Sequence, residues 1–353
     1  MPIYVRWLLI LLLQIVAAAP SNAATATSGS PVYAIVGHIK APGADVWDYA
    51  AVDQETRHLY LAQSGVLALD LDTGLSVRFA QAPMIHGVVP IGRGRLAIAD
   101  STANAVVVLT SATGRELARI PTGKPPNKTG WRNPDALVLE PTSGLLAAVN
   151  RDSGTVLLID LERAMVAGTI HVGGKLEFAV ADGEGRLFVN IESENALAVL
   201  DVARRKTVKR FPLKGCEEPS GLAYDSQDHL LLPVCGNGVV PVIDAESGHQ
   251  VATVKVGKGA DAVIYDAARR MAFVPAGDDG ILTVIAVHGA SDVAVVQTLA
   301  TKRGVRLGAL DSKTGALYLP SAEFSGAPVR LPGLRPFPGV TPGTFEFLVV
   351  ARK

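Results

Sequence analysis

The sequence predicts an all-β chain: a seven-bladed β-propeller with four antiparallel strands per blade, spanning residues 33–353. Three observations predict it. Apolar runs recur at a fixed period, each unit holds four strand-like patterns with no helical one, and a spare strand at the start of the repeats matches a gap at their end. The runs ALD, VVVLT, VLLID, LAVLD, VPVID and LTVIA end at Asp70, Thr110, Asp160, Asp201, Asp244 and Ala286, in steps of 40, 50, 41, 43 and 42 residues. Periods of ~40–50 residues are those of propeller blades.

Within a unit the elements follow in order. An apolar segment such as GLAYD ends near an acid and reads as the first strand. A turn leads to a second strand such as HLLLPV, and a polar loop to a near-continuous apolar strand such as VLLID. That third strand is apolar on both faces, as a strand packed between neighbouring sheets must be. A turn such as AESG leads to an alternating fourth strand, HQVATVKV. First strands fall near Tyr49, Val88, Leu137, Ala179, Leu222, Val263 and Gly308. Pro233, Pro275 and Pro320 take the same place in three second strands and mark where ladder pairing ends, because proline donates no hydrogen bond. The last unit finishes on a third strand, Phe345 to Lys353, whereas Tyr33 to Lys40 reads as a fourth strand placed before the first unit. The ring is therefore expected to close by pairing these two segments, which hides edges that invite aggregation.

Residues 1–23 read as a signal peptide, with a basic start, an apolar run and small residues before Ala23, followed by a short linker, 24–32. The apolar run is shorter than the ~20 residues that span a bilayer, no cysteine follows it for lipid attachment, and no later run is long enough to cross. The expectation is a periplasmic or secreted protein with no membrane span after cleavage. Loss of Arg6 leaves 32 bases against 33 acids, a net charge near −1. That balance offers no footprint for nucleic acid or an anionic membrane. The two cysteines, Cys216 and Cys235, have no metal-motif spacing and no C-x-x-C-H. In an exported chain they read as a disulfide. A turn centred near Ser226–Gln227 pairs residues whose numbers sum to about 453, and the numbers of the two cysteines sum to 451, which places them nearly opposite.

Aligning the first strands on the position five residues before the acid that usually ends them yields Asp48, His86, Asp135, Glu177, Ser220, Asp261 and Arg306, all polar. First strands line the channel of a propeller, so these form a candidate ligand ring at one mouth. The bland alternative is that a mouth facing water is polar anyway. In CEEPSG, Ser220 is the ring position; Glu217 and Glu218 lie at the rim, adjacent in an extended segment, so their side chains diverge. Trp47 forms either an aromatic wall or packing between blades. The longest loop, Phe324 to Thr344, and the longest linker, Gly123 to Asn133 with Trp131 and Arg132, fall on the ring side as a wall, a lid or plain surface insertions. Asn127-Lys128-Thr129 matches a short glycosylation sequon. No cofactor is expected. Asp135, Glu177 and Asp261 are the oxygen donors from which a Ca²⁺ or Mg²⁺ site would be built.

The residues W-D-Y at Trp47–Tyr49, H-G-V at His86–Val88, N-P-D-A at Asn133–Ala136, E-F-A-V-A-D-G at Glu177–Gly183 and C-E-E-P-S-G at Cys216–Gly221 give the chain a family likeness. It resembles the exported YVTN-repeat, or YncE-like, seven-bladed propellers of bacteria over nearly the whole mature length. The name-giving tetrad is degenerate here: the matching positions read LYLAQ, LAIAD, LAAVN and LFVNI. The resemblance implies a periplasmic or secreted propeller and no particular reaction. Two functions are expected from different classes. The first is a non-enzymatic scaffold holding a small ligand or a periplasmic protein at the ring, with Arg306 neutralising Asp48 across the blade 7/blade 1 junction. The second is a metal-dependent hydrolase or lyase, lactonase-like, acting on a small sugar-like substrate with His86 or an acid as base.

Overall fold

The computed structural model describes residues 32–43, 46–79, 82, 84–123, 133–329 and 337–353. The expected signal peptide, 1–23, nearly all of the expected linker, 24–32, the sequon match, Trp131, Arg132, Arg330 and Arg335 lie outside them. Residues 31–353 form one compact unit. Seven four-stranded antiparallel sheets make the blades, each with its first strand innermost. These inner strands are Ala50–Asp53, Ile85–Pro90, Leu137–Glu140, Leu176–Ala181, Pro219–Asp225, Ile264–Asp266 and Ala309–Asp311. The one helical element among the described residues is a 3₁₀ turn, Glu192–Glu194, so no described helix is long and apolar enough to cross a membrane.

The seventh sheet closes the ring. Its order is Ala309–Asp311, Ala316–Ser321, Glu346–Arg352, then Tyr33–Lys40 at the outer edge. Tyr33–Lys40 pairs with Glu346–Arg352 from Tyr33↔Arg352 to Lys40↔Glu346, with one irregularity between Ile35 and Gly37. Tyr33 is buried and sets its ring edge-on against Phe273 of blade 6 at 5.0 Å. Gln297 of the same blade clamps the Tyr33 backbone: its Oε1 accepts from Tyr33 N and its Nε2 donates to Tyr33 O, both at 2.7 Å.

The core lies between blades. In the third strand Thr155–Asp160, Leu158 packs towards blade 4, while Leu157 and Ile159 pack towards blade 2. Period-two alternation thus sends successive apolar side chains into two different cores, and the strand reads as continuously hydrophobic. The acid that ends the inner strands has a turn-forming role. Asp53, Glu140, Asp225, Asp266 and Asp311 each accept a backbone N–H two or three residues ahead. Side chains that hydrogen-bond forward in this way close tight turns. In blade 4 the neighbouring Asp182 does the same for Glu184.

The prolines act on the inner ladder. In blades 6 and 7 it stops at Ile264↔Phe273 and Ala309↔Tyr318, two residues short of Pro275 and Pro320. In blade 5 it continues past Pro233 after a register shift. The segment Phe324 to Thr344, expected to be a loop, contains a ribbon of Phe324–Val329 on Phe337–Val340. Its pairing brings Pro328 against Pro338, and two donor-less residues leave a ladder too sparse to show a strand period.

Cys216 and Cys235 are bonded, with Cα atoms 5.4 Å apart. Their register differs from the expected one. Cys235 faces Pro219, and the shift beyond it brings Leu222 opposite Pro233. The approach is also not extended: Glu218 has φ of 53°, and this bend lets Cys216 reach back to the second strand. The bond closes a separation of 19 residues. Replacing both cysteines by alanine is expected to cost about 3 kcal/mol; equal denaturant midpoints for the variant and wild type would remove the staple's role.

Candidate functional site

Each ring residue is delivered by the backbone just before or within an inner strand. Asp48 N donates to Ala62 O and Asp135 N to Val149 O, which pins both residues to their second strands at 2.9 and 2.8 Å. Asp135 follows a cis Asn133–Pro134 bond, and Pro134 O accepts from Ser101 Oγ of blade 2. Next to His86, Gly87 N donates to Asp135 O at 2.9 Å, and a Cβ at Gly87 would lie 2.6 Å from that oxygen. Only glycine lets the backbones of blades 2 and 3 approach this closely, and the approach carries His86 to Asp135. Farther round, Ser220 Oγ donates to Asp261 O at 3.0 Å, and Asn190 Nδ2 donates to Ser220 O at 2.8 Å. The Ser220 hydroxyl therefore ties blade 5 to blade 6.

All seven ring residues line one cavity of about 300 Å³ at this mouth. Its inner end is aromatic. Tyr49 and Phe178, one residue beyond Asp48 and Glu177, stack across the axis from blades 1 and 4 with centroids 5.3 Å apart. The cavity is thus a cup with an aromatic floor. Sequence reasoning missed this pair; its signal was an aromatic residue directly after the ring position in two blades on opposite sides of the ring.

The polar wall is unevenly charged. His86 Nδ1 lies 2.6 Å from Asp48 Oδ2 and 3.4 Å from Asp135 Oδ1. Arg306 pairs with Asp261, Nε to Oδ2 3.2 Å, rather than with Asp48 as its position at the blade 7/blade 1 junction suggested. The Arg306 backbone explains this: its carbonyl accepts from Ala262 N, drawing blade 7 against blade 6. Arg151, also missed from the sequence, comes from the loop after the second strand of blade 3. Its Nε donates to Glu177 Oε1 at 2.5 Å, and its other nitrogens bind Glu192 and Asp152. Among the described residues that line the cup are four carboxylates, Asp48, Asp135, Glu177 and Asp261, of which Glu177 pairs with Arg151 and Asp261 with Arg306.

Burial, followed by the charge of Asp135, pushes the Glu177 carboxyl well above its usual range despite Arg151. Tyr49 is pushed up by burial and then by the charges of Asp135, Glu177, Asp48 and Asp261. A carboxyl raised on folding stabilises fully only below its ordinary value, 4.5 for Glu177, and that contribution is lost as pH rises through the folded value. Glu177→Gln keeps an acceptor for Arg151 without the charge. Its melting temperature should therefore fall less than wild type's between about pH 4.5 and 8; parallel melting curves would contradict this.

Other expected site residues lie elsewhere. Trp47 touches the cavity but is buried between Phe324 at 6.0 Å and Phe345 at 5.2 Å, so its main role is packing. Glu217 and Glu218 are exposed and do not line the cup; their backbone N–H groups donate to Asn237 and Asn195 side chains. The donors Asp135, Glu177 and Asp261 do not form one cluster. Asp135 turns to Asp48 and His86, whereas Glu177 and Asp261 take the guanidinium partners.

No protein family and no curated protein matches the chain. Solved structures do resemble it. A chain of a crystal structure of the mitotic checkpoint complex matches with a TM-score of 0.69 at 15% identity, covering 89% of this chain and 95% of that one. A chain of hydrazine synthase from Kuenenia stuttgartiensis matches with a TM-score of 0.62 at 14% identity, covering 80% of this chain and 94% of that one. At these identities the likeness is one of fold: the chain is a seven-bladed β-propeller.

Proposed function

We propose that the chain is an exported propeller of the YVTN-repeat kind that acts as a binding module, and that its acid-lined cup takes a small cationic ligand. One observation carries the reading: residues from all seven blades converge on one cup, whose described lining includes four carboxylates and a stacked aromatic pair. Convergent polar groups over an aromatic floor are the usual composition of a small-molecule site. A cavity of about 300 Å³ is at the small end of that range. The stacked Tyr49 and Phe178 rings add a face that attracts cations. Export is supported by the N-terminal pattern and by a buried disulfide, which persists in oxidising compartments.

Titration calorimetry with putrescine, spermidine and arginine as probes tests the reading. At least one should bind with unit stoichiometry, more weakly in Asp261→Asn and more weakly as salt rises. Glu217→Gln, at the exposed rim, should leave the binding unchanged. Heat with none of these amines and none with a simple divalent cation would overturn the reading.

A further inference from the structure

We infer that the cation held deepest in this cup is a divalent transition-metal ion of the zinc class, with Asp48, His86 and Asp135 as its protein ligands. This rests on the cationic-ligand reading and narrows it. One donor atom each from Asp48, His86 and Asp135 lies within 4.8 Å of the others. His86 lies in the first strand of blade 2, and Asp48 and Asp135 stand two residues before those of blades 1 and 3, so the grouping is made by the ring and not by a local sequence motif.

The spacing suits a metal of this size. Bonds of about 2.0–2.2 Å in a tetrahedral site put donors roughly 3.3 Å apart. His86 Nδ1 and Asp135 Oδ1 already stand 3.4 Å apart. Asp48 Oδ2, at 2.6 Å from the same nitrogen, needs to withdraw by less than about 1 Å. His86 and Asp135 are buried and Asp48 is half-buried, so the site opens to the cup through Asp48.

Donor chemistry selects the ion. Ca²⁺ and Mg²⁺ prefer six or more oxygens, and an imidazole nitrogen is a poor substitute. One imidazole with two carboxylates matches Zn²⁺, and less closely Mn²⁺, Co²⁺ and Ni²⁺. The backbone supports the geometry: the hydrogen bond from Gly87 N to Asp135 O holds the segments that bear His86 and Asp135 together. Three protein ligands also leave a position for water or an exogenous group. That opening would bring metal-assisted hydrolysis of a small substrate within reach of the same cup.

The test is calorimetric titration of the chelator-treated, dialysed full chain with Zn²⁺ and, separately, with Ca²⁺. One equivalent of Zn²⁺ should bind, with no Ca²⁺ binding at the same concentrations. His86→Ala and Asp135→Asn should each weaken Zn²⁺ by at least ~100-fold, with circular dichroism checking that both remain folded. Glu218→Gln should not change it. A folded wild type that takes no Zn²⁺, or Zn²⁺ binding unchanged in whichever of the two variants folds, overturns the inference. If Zn²⁺ fails and spermidine still binds, the metal assignment falls and the cationic-ligand reading stands. If both fail, both fall.

Discussion

Deleting Tyr33–Lys40 is expected to leave no soluble folded monomer. The segment is the outer strand of the seventh sheet, paired along its length with Glu346–Arg352. Without it, a strand carrying the buried residues Phe347, Leu348 and Val350 becomes a free edge. Tyr33 also leaves Phe273, and Gln297 loses both backbone partners. The milder variant Tyr33→Ala isolates the anchor and should cost about 3–5 kcal/mol, the range for removing a large buried aromatic side chain. Size-exclusion chromatography and denaturant unfolding measure the two. A monomeric deletion that melts with wild type would mean that the ring does not depend on this closure.

Arg151→Ala should be nearly as damaging for a different reason. Its guanidinium is mostly buried, at 12% side-chain exposure, and holds Glu177, Glu192 and Asp152. Truncation leaves Glu177, itself 16% exposed, facing Asp135 without its cation. Breaking one side of a buried pair typically costs about 3–5 kcal/mol, most of it the penalty of the charge left behind. The double variant Arg151→Ala/Glu177→Gln should recover part of the loss, because no stranded charge remains at position 177. Equal stability of the single and double variants would show that Arg151 acts by packing alone.

The fold was legible because its rules are local and repeated. The 40-odd-residue period, the turn acids such as Asp225 and Asp266, and the doubly apolar strand Thr155–Asp160 each show in a short window. The ring positions were legible for the same reason: six of the seven stand five residues before a turn acid, and His86 takes the matching place in blade 2. Pairing among them was not. Whether Arg306 meets Asp48 or Asp261 depends on how blade 7 leans on blade 6, through Ala262 N and Arg306 O. Arg151 sits in a loop that no period marks, yet it reaches the first strand of the next blade. The disulfide partners were legible, but their register was not, because the bend at Glu218 and the shift after Pro219 are backbone choices that composition does not announce.

The closing pair also sets an order of events in time. His38 and Glu346, in contact across it, are 308 positions apart in the chain. As the polypeptide is made, Tyr33–Lys40 precedes every blade, and its partner strand follows all the other blade strands. It therefore waits unpaired while the other blades can already assemble from near neighbours, and contacts of such separation slow folding. Once engaged, the same contact is a latch, since opening the ring at this joint means stripping the whole ladder together. The protein should thus be slow to acquire its final form and slow to lose it, with one strand governing both rates.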